Sequence, residues 1–163
     1  MLYKICSGAQ TGADIGGLIT AKKYGLETGG WIPKGFKTQV GPRPEYAALY
    51  GIKEHSSSSY PGRTFLNVKE TDGTIRFAED FGTSGEACTL KAILQYNKPY
   101  FDVPILGKKD FNSCIQWLQN NNIQILNVAG NSERTFMGMQ METSAYLEQL
   151  FELLGFKPVS LQL

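Results

Sequence analysis

Tyr3-Lys4-Ile5-Cys6-Ser7-Gly8-Ala9-Gln10-Thr11-Gly12-Ala13-Asp14 carries an apolar run, then a loop of small residues, then the first turn of a helical pattern. Tyr3–Cys6 predicts a buried strand. Ile15, Leu18, Ile19 and Tyr24 recur at helical spacing, which predicts a helix from about Asp14 to Tyr24 with Gly25 as its stop. Strand, glycine-bearing turn and helix together aim backbone N–H groups and the positive end of a helix dipole at an anion. At the carboxyl edge of a parallel sheet, such a turn is where phosphates and nucleotides bind.

The rest of the chain repeats this alternation. Thr28–Phe36 predicts a short strand breaking into a turn. Residues Thr38 to Ser59 read as irregular apart from a short helix around Glu45–Tyr50, and Ser56–Ser59 with Tyr60-Pro61-Gly62 reads as an exposed loop. Arg63–Val68 and Thr74–Phe77 read as strands joined through the turn Asp72-Gly73-Thr74. Glu79–Glu86 leads into a helix carrying Ala87, Leu90, Ile93 and Leu94. Lys98–Val103 is a further strand and Phe111–Gln119 a helix with Phe111, Cys114, Ile115 and Leu118 on one face. Ile123–Val128 is the last core strand, and Thr143–Leu154 closes the chain as a helix stopped at Gly155. Met137, Met139 and Met141 alternate through Arg134–Met141, which reads as a strand or an adaptable apolar surface. The fold class is therefore α/β: a Rossmann-like three-layer α/β/α domain with a mostly parallel sheet, spanning residues 1–163.

The 163 residues suffice for one substantial core, and 42% hydrophobic with 19% charged residues suits a globular chain. A net charge of +1 argues against nucleic acid or an acidic membrane as partner, so an anion site must come from local geometry. No apolar run reaches a membrane span and the N-terminus lacks a signal pattern, which makes the cytoplasm the expected compartment. Three scattered cysteines (Cys6, Cys88, Cys114) and one histidine (His55) do not supply a structural zinc site. Cys6 and Cys88 read as small core residues.

Three small-residue loops each follow a predicted strand: Ser7–Gly12, Gly82–Gly85 and Gly130–Ser132. In a parallel sheet they gather at one edge, where α/β domains bind ligands. The residues expected to bind are Ser7, Gly8, Ala9, Gln10, Thr11, Gly12 and Asp14 from the first loop. Gly82, Thr83, Ser84 and Gly85 come from the second, and Gly130, Asn131 and Ser132 from the third. Lys34, Gly35, Arg63, Thr64 and Asp72 complete the set, with Lys34 and Arg63 as the sources of positive charge. No Gly-Lys-Ser/Thr and no Gly-x-Gly-x-x-Gly follows a strand, which disfavours ATPase and NAD-dehydrogenase readings. Trp31 and Phe36 could stack on a flat ring, although core packing is the commoner fate of aromatics. His55 reads as exposed and inert.

Five blocks in order resemble the putative molybdenum carrier family, the circularly permuted YpsA-like branch of the SLOG superfamily. They are Ser7–Asp14, Gly29–Gly35, Arg63-Thr64-x-x-Asn67-Val68, Asp72-Gly73-Thr74 and Val128-Ala129-Gly130. The resemblance implies a Rossmann-like fold, homo-oligomers, and a nucleotide-like or molybdopterin-like ligand in the glycine-loop cleft. The chain departs from the family pattern at Ala9, where a second glycine is usual, and at Ile15, where an arginine is common. It departs again at Phe81, where the family has a glycine, and at Asn131-Ser132-Glu133, where Pro-Arg-Glu-Ser is typical.

These readings favour a binding protein that carries, senses or sequesters a phosphorylated ring-bearing molecule, either a nucleotide-derived signal or the molybdenum cofactor. The alternative is an enzyme. Gly82-Thr83-Ser84-Gly85-Glu86 fits the Gly-Thr-x-x-Glu of phosphoribohydrolases in the same superfamily. Glu86 would there assist cleavage of the base–ribose bond of a nucleoside monophosphate. A first-turn glutamate that favours a helix dipole is the plainer account of Glu86.

Overall fold

A computed structural model describes residues 1–160. Six strands form one sheet in the order β5-β2-β1-β8-β6-β7, with every neighbouring pair parallel. They are β1 (Lys4–Ser7), β2 (Glu27–Ile32), β5 (Ile52–Glu54), β6 (Gly73–Ala78), β7 (Tyr100–Pro104) and β8 (Ile125–Gly130). A two-residue ribbon, β3 (Lys37–Thr38) against β4 (Gly41–Pro42), stands apart. The helices are α1 (Ala13–Lys23), α2 (Tyr46–Tyr50), α3 (Tyr60–Lys69), α4 (Ser84–Gln95), α5 (Phe111–Asn120) and α6 (Met139–Leu153). The result is a Rossmann-like three-layer α/β fold. No described helix is long and apolar enough to cross a membrane.

α1 is buried almost all round because it is wedged between α6 and the sheet. Gly16 and Gly17 make that possible: a Cβ at Gly16 would lie 2.9 Å from the Gln140 carbonyl of α6, and one at Gly17 2.8 Å from Val128 of β8. Ile5, Phe77, Leu126, Val128, Leu147 and Phe151 fill the main core on this face. The Phe111 ring of α5 stacks on Tyr146 of α6 at 4.6 Å between centroids, which places α5 on the same side. The opposite face carries α3 and α4. Val68, Ala92 and Ile93 pack between them, and the rings of Phe65 and Tyr96 meet edge to face at 6.2 Å. β8 sits between β1 and β6, and the crossovers that leave those two strands pass to opposite faces. The cleft therefore opens over β8.

Three sequence expectations are corrected. Arg63–Val68 is not a strand but the body of α3, which starts at Tyr60 with Pro61 in its first turn, a position proline tolerates. Its buried positions Asn67, Val68 and the following Thr71 have helical spacing, hidden by the strand-prone character of Thr64, Phe65 and Val68. Ile52–Glu54, read as irregular, is an edge strand that buries only Ile52. Arg134–Met141 is no strand: Gly138, at φ 95°, turns the chain into α6, where Met139 is buried while Met137 and Met141 face solvent.

Candidate functional site

A cleft of about 440 Å³ lies between α3 and α4 at the carboxyl edge of the sheet. Gly8, Gln10 and Asp14 line it from the β1–α1 side, and Arg63, Thr64 and Asn67 from α3. Thr83, Ser84, Gly85 and Glu86 line it from α4, and Asn127, Gly130 and Ser132 from β8 and the turn after it. Both flanking helices begin at the cleft mouth, so their dipoles turn positive ends toward it. The volume falls in the range of small-molecule sites.

The three loops are sewn together by one residue. Asn131 is buried; its Oδ1 accepts from the backbone of Glu79 (2.9 Å) and Asp80 (3.2 Å), and its Nδ2 donates to Asp80 O and Glu86 Oε2 at 3.0 Å each. Its carbonyl accepts from the Ala13 amide at the start of α1 (3.1 Å). Thr83 caps α4 reciprocally with Glu86: Thr83 Oγ1 accepts from the Glu86 amide (3.3 Å) and donates to Glu86 Oε2 (2.8 Å). Thr11 Oγ1 accepts from the Glu133 amide at 3.3 Å. Thr11 and Thr83 thus stand at the same edge of the sheet.

Many of the loop amides, however, are satisfied from within. Ala9 donates to Ser7 Oγ (3.1 Å), Gln10 to Asp14 Oδ2 (3.2 Å) and Thr11 to Gln10 Oε1 (3.0 Å). Gly82 donates to Asp80 Oδ1 at 2.7 Å. Ser7, Ala9, Thr11, Gly12, Gly82 and Asn131 accordingly shape the loops without lining the cleft. Ala9 occupies a left-handed conformation (φ 54°) that suits glycine. Gly12 (φ 86°) lies so close to Asn131 that a Cβ would sit 2.3 Å from its carbonyl oxygen.

Lys34, Gly35 and Asp72 are not brought to the cleft. Lys34 is exposed and its amide donates to Ser57 O, while the Gly35 amide donates to Glu54 Oε2; both belong beside the edge strand β5. Asp72 precedes β6, so it stands at the amino edge, where Oδ2 accepts from Gln124 (2.9 Å) and Ile125 (2.8 Å) at the start of β8. Trp31 donates its indole N–H to Glu70 and Phe36 packs beside α2, so neither ring reaches the cleft. Cys88, expected in the core, is half-buried and lines the cleft.

Asn67 and Arg76 were not among the expected site residues. The Asn67 side chain accepts from Trp31 N (2.9 Å) and donates to Trp31 O (3.0 Å), tying α3 to β2. On α3 the spacing of Arg63, Thr64 and Asn67 puts all three on one face. Arg76 grips Asp102 with two 2.7 Å bonds and donates to the Glu86 carbonyl (3.2 Å), with the rings of Phe81 and Tyr100 5.1 and 5.5 Å from its guanidinium. It anchors the first turn of α4 from beneath, and Phe81 is part of that anchor.

Burial pushes the Asp14 carboxyl up to about 6, against the opposing pull of Arg63 and the Gln10 amide. Burial likewise raises Glu86, opposed by the hydrogen bonds from Thr83 and Asn131 and by Arg76 and Arg63. The Cys88 thiol is also raised by burial. Among the described residues, no three His, Cys, Asp or Glu side chains are grouped to hold a metal ion.

Residues 5–151 match the model of the circularly permutated YpsA SLOG family. The chain belongs to that family. A solved structure from Syntrophus aciditrophicus SB, of a putative molybdenum carrier protein, is 32% identical. The match covers 91% of this chain and 94% of that one, with a TM-score of 0.84. No curated protein matches the chain.

Proposed function

We propose that this SLOG-family protein binds a phosphorylated, ring-bearing small molecule in the α3–α4 cleft and holds it without chemical change. One observation carries the reading: the first turns of two helices, a nearly buried arginine and a polar strand end converge on one cleft of ligand size. A nucleotide-derived signal or a molybdopterin-like cargo has the required combination of flat ring and oxyanion. The name of the Syntrophus relative supports a carrier role. The cleft's hydrogen-bond donors, amides, hydroxyls and a guanidinium, suit the organic and phosphate parts of a molybdenum-bearing cargo.

Glu86 does not favour the N-glycosidase alternative. Its Oε2 already accepts two hydrogen bonds within the α4 cap, the arrangement of a structural first-turn glutamate. The test is thermal-shift screening of the wild-type protein against ADP-ribose derivatives, cyclic nucleotides and molybdopterin. Stabilisation by a phosphorylated member is expected, and a flat response across the panel would overturn the reading.

A further inference from the structure

Four buried side-chain polar atoms have no hydrogen-bond partner among the described residues: Thr28 Oγ1, Arg63 Nε, Thr143 Oγ1 and Tyr146 Oη. Of these residues only Arg63 lines the cleft. A buried guanidinium N–H left unpaired is expensive, more so than a neutral donor. Its neighbour does not make up the shortfall. Asp14 Oδ2 reaches only Nη1, at 3.4 Å, well beyond the 2.7–2.9 Å of a good charge-assisted bond.

Gly8 shows that the arginine's place is built in. A Cβ there would lie 1.6 Å from Arg63 Nη1 and 2.5 Å from its Cζ, and Gly8 does not have a positive φ that would itself require glycine. The absence of a side chain at Gly8 is what lets the guanidinium lie across the β1–α1 loop. On the β1–α1 side the amides of Ala9, Gln10 and Thr11 are already taken by Ser7, Asp14 and Gln10, which leaves the guanidinium as the donor there.

Resting on the cleft-binding reading above, we infer that Arg63 is the receptor for the ligand's phosphoryl group. Its Nη atoms donate to phosphoryl oxygens, and Asp14 is a placeholder that holds the guanidinium in position until the ligand arrives. A guanidinium fork matches two oxygens of one phosphate, whereas a lysine would offer only a point charge. The anion therefore sits on the α3 side of the cleft, beside Gly8.

The experiment is isothermal titration of the intact protein with inorganic phosphate, with acetate as the carboxylate control, on wild type and on Arg63→Gln, Arg63→Lys and Gly8→Ala. Wild type binds phosphate in preference to acetate, and Arg63→Gln weakens binding on the order of 10- to 100-fold. Arg63→Lys falls between the two. Gly8→Ala keeps the charge but displaces the guanidinium, and weakens phosphate binding while a circular-dichroism melt shows the fold retained. It keeps the test decisive if Arg63→Gln fails to fold. Absence of phosphate binding by wild type, unchanged binding in the folded variants, or a response to acetate equal to that for phosphate would each overturn the assignment. If the ADP-ribose and cyclic-nucleotide panel stabilises wild type and Arg63→Gln alike, only the role of Arg63 fails. If it stabilises neither, cleft binding itself fails.

Discussion

Asp14 Oδ2 and Arg63 Nη1 face each other at 3.4 Å across the floor of the α3–α4 cleft, with side chains 7% and 12% exposed. The same oxygen also accepts from the Gln10 amide. One shared oxygen at long range does not offset the desolvation of a buried carboxylate, so burial dominates and the proton is held more tightly than in water. The pair ties α3 to the β1–α1 loop but leaves the arginine under-used.

A pH dependence of stability follows. Arg63 from α3, Glu86 from α4 and the Gln10 amide are the groups that act on Asp14, whose carboxyl rises from 3.8 unfolded to about 6 folded. A raised folded value means that the native state binds the proton more tightly. The contribution of Asp14 to stability is thus complete below about pH 4 and is lost as pH rises through about 6, on the order of 2–3 kcal/mol. Glu86, also raised, adds to the same slope. Urea unfolding across this window should show stability falling with pH, and Asp14→Asn should flatten much of the fall. A wild-type profile that rises through the window would refute the account of Asp14.

Two glycines should behave differently. At Gly130 (φ 149°) a Cβ would lie 1.9 Å from the Phe77 carbonyl oxygen, a backbone atom that cannot yield. Gly130→Ala should lose roughly 3 kcal/mol or more. At Gly8 the obstacles are side-chain ends, the Arg63 guanidinium and, at 2.9 Å, Asp14 Oδ2, so Gly8→Ala should stay within about 1 kcal/mol of wild type. Denaturant midpoints of the two variants compare the cases directly.

Ala9→Gly should be nearly neutral. Relief of the left-handed backbone returns about 1–2 kcal/mol, while loss of a buried methyl and the extra freedom of glycine remove a similar amount. Ala9 is 1% exposed and packs with Ile15, Leu18, Ile32 and Ile52, so the opposing terms are both present. A change in unfolding free energy beyond about 1 kcal/mol in either direction would show that one term had been misjudged.

Asn131→Ala should be among the more damaging polar substitutions. It strands the amides of Glu79 and Asp80 and removes a donor to Glu86 Oε2. The expected loss is about 2–4 kcal/mol by chemical denaturation. Asn131→Asp should restore the acceptor but place a second carboxylate against Glu86, so its deficit should grow as pH rises. Full stability in Asn131→Ala would mean the loops are held by other contacts.

The layered parallel fold was legible because the β1–α1 and β6–α4 units each carry an apolar run, a small-residue turn and a helical pattern. α3 was not, because Thr64, Phe65 and Val68 are strand-prone and Pro61-Gly62 resembles a loop; only packing against β2 and α4 selects the helix. The gathering of the three loops at one edge was foreseeable from parallel topology. The internal use of their amides was not, since Ser7, Asp14, Asp80 and Asn131 become caps only after folding. Lys34 and Asp72 looked like site residues by charge and order in the chain, but the edge strand and the amino edge of the sheet carry them elsewhere.

Native mass spectrometry after incubation with a mixture of phosphorylated metabolites tests the central claim most directly. The prediction is a one-to-one adduct on wild type that is lost when Cys88→Trp fills the cleft from α4. An adduct that survives in the folded Cys88→Trp protein, or no adduct on wild type, would contradict the proposed site.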